Sequence, residues 1–152
     1  MLPPETSAAR LIVCERTGRW AAALRRQLDP SEVRLEETRT LGQCREALAR
    51  AVASFLVAEL TLCDIEPLLG QMARLPRDFP LARLAVVADR CLAGYEWLMR
   101  EAGAVHFTCS TRRLGPLAQA VRRHLAQAPV PPQTLTQRIW ASLPWKESAG
   151  TY

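Results

Sequence analysis

The chain has 152 residues, room for one domain and a short tail, and 49% of them are apolar, enough to bury a core. That excludes disorder for the bulk of the chain, and no apolar run reaches the roughly 18 residues of a membrane span. The net charge is +5 and arginine carries it, since Lys146 is the only lysine.

Apolar runs alternate with helical patterns five times. Met1 to Arg10 holds prolines and a glutamate where a signal peptide would place a basic start and an apolar stretch, so residues 1–9 read as a leader of a cytoplasmic protein. Leu11-Ile12-Val13-Cys14 is short and continuous, as a strand buried on both faces is. Thr17 and Gly18 open a helix with Trp20, Ala21, Leu24 and Leu28 on one stripe, stopped by Asp29-Pro30. Val33 to Glu37 alternates apolar with charged residues and predicts an edge strand. Thr40 caps a helix carrying Leu41, Cys44, Ala47, Leu48 and Ala51.

Ser54 to Ala58 is the third strand, ending at Glu59. The helix after it carries Ile65, Leu68, Leu69 and Met72 and is expected to close at Pro76. Leu84 to Ala88 is the fourth strand, followed by a helix with Tyr95, Leu98 and Met99 and Gly103 as its C-terminal cap. Val105 to Cys109 is the fifth, and the last helix runs from about Leu114 to Gln127. Five such units predict a flavodoxin-like, doubly wound α/β domain: five parallel strands with helices on both faces, over residues 10–128. Residues 129–152 form a Pro-rich linker and an apolar tail with Ile139, Trp140 and Trp145. That tail either folds back, docks on a partner or stays disordered.

Ligands of such sheets bind beyond the carboxyl ends of the strands. The chain from Leu11 to Gln127 resembles the receiver domain of bacterial response regulators, most closely where Glu101-Ala102-Gly103-Ala104 leads into Val105-His106-Phe107. In that family, two acidic residues after the first strand hold magnesium and an aspartate ending the third accepts a phosphoryl group. A hydroxyl on the fourth strand and a lysine after the fifth bind the transferred group. The resemblance places those positions on Cys14 and Glu15, on Glu59, on Val87 or Ala88, and on Ser110. It implies a degenerate pocket, and Phe107 falls where the family has its switch aromatic.

Glu59 is then either a solvated remnant or a fixed charge mimic, with Arg112 or Arg113 as the partner standing in for the lost lysine. Cys14, Cys63 and Cys109 fall near the same edge, as packing thiols or, if they converge, as a metal or redox site. Glu15-Arg16-Thr17-Gly18 is too short a match for a flavin phosphate loop, and His106 and His124 are the only histidines. These readings predict a non-catalytic signalling or scaffold domain with no cofactor and a protein partner. The expected surface is the fourth helix, fifth strand and fifth helix, with Tyr95, Trp97, Arg112, Arg113, Arg122 and Arg123, and it would also serve a homodimer. The alternative is a regulator that binds a small molecule or nucleotide in the crevice. Arginines spread evenly along the sequence weigh against nucleic acid.

Overall fold

A computed structural model describes residues 7–130 and 135–141. Its strands are β1 (Leu11–Cys14), β2 (Leu35–Thr38), β3 (Phe55–Leu60), β4 (Arg83–Ala88) and β5 (His106–Thr108). They form one parallel sheet in the order β2-β1-β3-β4-β5. The helices are α1 (Arg19–Gln27), α2 (Leu41–Arg50), α3 (Ile65–Asp78), α4 (Glu96–Glu101), α5 (Gly115–Gln127) and α6 (Leu135–Ala141), with a 3₁₀ turn at Arg90–Tyr95 before α4. The expected doubly wound α/β fold is what forms.

Alternate strand residues face opposite sides, so two core layers result. Ile12, Leu56, Leu84 and Val86 pack under α2, α3 and α4 through Leu48, Met72 and Met99. Leu11, Val13, Phe55 and Val57 pack under α1 and α5 through Trp20, Leu24, Leu117 and Val121.

β5 is shorter than the expected Val105 to Cys109, and local chemistry moves three further boundaries. Val33 is buried but belongs to the turn after α1, its N–H donating to the Asp29 carbonyl at 3.0 Å, so β2 starts at Leu35 opposite Leu11. Ser54 precedes β3 because its hydroxyl accepts the Arg10 N–H at 3.0 Å. Pro76 does not close α3. It has no N–H to donate to the Met72 carbonyl one turn back, but the Phe79 N–H still reaches the Leu75 carbonyl at 2.8 Å, so the helix runs to Asp78. Gly103, at φ +112°, caps α4 as expected. Its N–H donates to the Arg100 carbonyl and the next N–H, of Ala104, to the Met99 carbonyl, a six-to-one closure that favours glycine. No described helix is long and apolar enough to cross a membrane.

Candidate functional site

β1 and β3 end side by side, with β4 next to β3, and the loops above them enclose a cleft of about 330 Å³. Cys14, Arg16, Arg39, Glu59, Thr61 and Asp64 line it. The acidic residue left after β1, Glu15, is 2% exposed and points at the start of α1. Gly18, at φ +84°, has no side chain with which to cap that helix. Glu15 does so instead, one carboxylate oxygen accepting the Trp20 N–H at 2.9 Å and the other the Ala21 N–H at 2.7 Å. A carboxylate suits the positive end of a helix.

Glu59 sits within β3, opposite Val87 of β4. It accepts the Arg16 N–H at 3.3 Å and lies 4.0 Å from the Arg19 guanidinium. Arg19 also binds Asp89, just past β4, at 2.5 Å, so one guanidinium joins the ends of β3 and β4. The bond to Asp89 pushes the Arg19 pKa above its ordinary value, and its guanidinium lies 5.2 Å from the Trp20 ring centroid. Arg16 reaches Asp64 at 3.1 Å, and Asp64 also accepts the Thr61 hydroxyl at 2.6 Å. Arg112 and Arg113 do not pair with Glu59, contrary to expectation. α1 begins four residues beyond Glu15, which brings Arg19 to the crevice, whereas both later arginines are exposed beside Ser110.

The residues at the remaining family positions offer little polar chemistry. Val87 and Ala88 are fully buried, one in each core layer, and neither carries a hydroxyl. Ser110 is occupied within its own loop, its N–H donating to the Thr108 hydroxyl and its hydroxyl accepting the Arg112 N–H, both at 3.3 Å. Phe107 is 6% exposed, packed in the layer under α4. Cys14 is buried against Cys44 of α2, a contact not foreseen. The Cys14 thiol and burial push the Cys44 thiol well above the ordinary range, so Cys44 keeps its proton, and its hydrogen bond lowers Cys14. Cys63 is exposed and burial raises Cys109. Among the described residues no three metal-ligating side chains converge.

Magnesium needs free hard oxygens. Both Glu15 oxygens are taken by backbone N–H groups, Glu59 is held by Arg16 and Arg19, and the other position after β1 is a buried thiol. This donor set does not fit the ion.

On the other expected surface, Trp97 is 72% exposed on α4, while Tyr95 is half-buried against the core. Arg122 and Arg123 are exposed on α5. His124 is not a crevice residue. It bonds the Ala53 carbonyl at 2.7 Å beneath α5. Ile139 is half-exposed on α6, whereas the Trp140 side chain and all of Trp145 lie outside the described residues. Arg19 as a crevice residue went unrecognised in the sequence. The signal was Gly18 so close behind a buried strand, which puts the next residue at the first turn of a helix, above the strand ends.

No model of a known protein family matches the chain, and no curated protein matches it. Solved structures do. A response regulator from Thermotoga maritima is 18% identical with a TM-score of 0.61, over 80% of this chain and 100% of that one. HP1043, an orphan response regulator of H. pylori, is 14% identical with a TM-score of 0.61, over 81% and 99%. A CheY-like protein, tadZ, from Pseudomonas aeruginosa PAO1 is 16% identical with a TM-score of 0.61, over 82% and 98%. At such identities the likeness is one of fold. The chain has a CheY-like receiver fold.

Proposed function

We propose that the chain is a pseudo-receiver, a signalling or scaffold domain that binds protein partners without being phosphorylated. The receiver unit is residues 10–128, and residues 129–152 are a linker and a docking tail. The observation that carries this reading is the Arg19 guanidinium set between Glu59 and Asp89, a cation built into the chain at the strand ends where receivers bind theirs. Receiver domains are generally not enzymes. A cation supplied by the chain itself at that place leaves the fold's outer surfaces as its working parts. The surface formed by α4, β5 and α5 supports partner binding or a homodimer, since Trp97 and Val105, at 72% and 45% exposed, offer apolar anchors, and Arg112 and Arg113 are exposed past the other end of β5.

Incubation with acetyl phosphate, or with beryllofluoride and magnesium, tests the loss of chemistry. The expected result is an unchanged intact mass and an unchanged melting temperature, and a phosphoryl adduct on Glu59 or elsewhere in the crevice would sink the proposal. Sedimentation of the full chain and of W97D tests the surface. Self-association that W97D abolishes supports the homodimer. The second reading, a small molecule or nucleotide in the crevice, is favoured by the cleft of about 330 Å³ with Arg16 and Arg39 on its walls. A thermal-shift screen against nucleotides and flavins separates the two.

A further inference from the structure

Charge is sorted across the fold although it is spread along the sequence. α1 and α5, which cover one face of the sheet, carry Arg19, Arg25, Arg26, Arg122 and Arg123 and no acidic residue of their own, though Arg19 is paired with Asp89 in the crevice, Arg25 with Glu37 and Arg122 with Glu32 from neighbouring segments. On the opposite face, the five arginines of α2, α3 and α4 are matched by five acids, Glu46, Glu66, Asp78, Glu96 and Glu101. Arg122 ties the two basic helices together by donating to the Gln27 carbonyl, while Arg26 and Arg123 point to solvent with no ion pair among the described residues. Arg112 and Arg113 are exposed just before α5, so basic groups stand at both ends of it, about 15 Å apart at a rise of 1.5 Å per residue.

None of the large exposed apolar side chains lies on α1 or α5. A stable protein interface needs such anchors near its centre, so this face differs in kind from the one around Trp97. What it offers is guanidinium forks, which take phosphate oxygens two at a time. We propose that the α1–α5 face binds the phosphate backbone of nucleic acid without regard to sequence. The proposal does not depend on the state of the crevice.

The test is fluorescence anisotropy of a labelled random-sequence DNA duplex titrated with the full chain between about 50 and 200 mM salt. Binding should weaken steeply with salt, by a slope of about 0.9 per phosphate neutralised in a plot of log affinity against log salt. R26E/R123E, which breaks no ion pair, should weaken binding at least tenfold and reduce that slope by about 2. R74E/R90E removes the same charge from elsewhere and should bind like the parent, with circular dichroism checking that both variants are folded. Absence of binding at the lowest salt overturns the proposal, as does an equal loss in the two variants, which would mean bulk charge alone. Capture by vesicles of equal phosphatidylglycerol and phosphatidylcholine with no binding to the duplex also overturns it, in favour of a membrane surface.

Discussion

At the scale of single residues, Glu15 and Arg19 make the crevice what it is. Glu15 is a buried carboxylate with two backbone N–H groups to satisfy, so its replacement by alanine strands both donors at the start of α1. E15A should lower stability by about 2–3 kcal/mol in urea unfolding, and E15Q, which keeps one acceptor, by clearly less. Equal losses would assign the effect to packing. Arg19 is partly exposed, so R19A should cost only about 0–1 kcal/mol. Opening the ion pair still leaves Glu15 bound to its helix and no lysine in the domain. R19A/E59D should therefore acquire no phosphoryl group from acetyl phosphate and magnesium, read by intact mass. An adduct would mean that Arg19 and Glu59 had together been the block.

At the scale of elements, the five units were legible because strand and helix have different apolar periods, and buried parallel strands such as Leu84 to Ala88 stand out as unbroken runs. Caps were legible too, since their chemistry is local. The Thr40 hydroxyl accepts the Gln43 N–H at 3.1 Å and the Gln43 side chain accepts the N–H of Arg39 at 2.9 Å, a variant of the capping box at the head of α2 in which Gln43 reaches the residue before the cap. T40A should cost about 1 kcal/mol in thermal or urea unfolding, while T40S keeps most of that stability. If T40A melts with the parent, the box contributes nothing. Boundaries were less legible. Val33 reads as strand by its side chain and is turn by its N–H, and α3 continues two residues past Pro76, where the Phe79 N–H closes on the Leu75 carbonyl. Partner choice at the crevice was not legible at all. Whether Glu59 meets Arg19 or Arg113 depends on where two separate helices start, and no local pattern carries that.

At the scale of the whole molecule, the sheet has two edges of different character. β2 at one edge is polar and tied down by Arg10 and Arg50 through Glu36, whereas β5 at the other has three residues, with His106 half-buried at its start. Burial lowers the His106 pKa below its ordinary value, and nearby Arg100 lowers it further, against an opposing pull from Glu96. The folded state thus takes up the proton at lower pH than the unfolded state, whose histidine titrates near about 6.5. Between those two values the unfolded chain binds more protons, so stability rises with pH across the window. The contribution of His106 is complete above the unfolded value and is lost as the pH falls through the folded one. Asp29 and Asp78, also lowered, by the Ser31 N–H and by Arg45 respectively, act in the same direction but only in the carboxylate range, below this window. The melting temperature should therefore drop between pH 7.5 and pH 5.5, and H106Q should flatten that part of the curve while leaving the fall at lower pH in place. Parallel curves for the parent and H106Q would assign the acid sensitivity to another group and leave the β5 edge without a titrating residue.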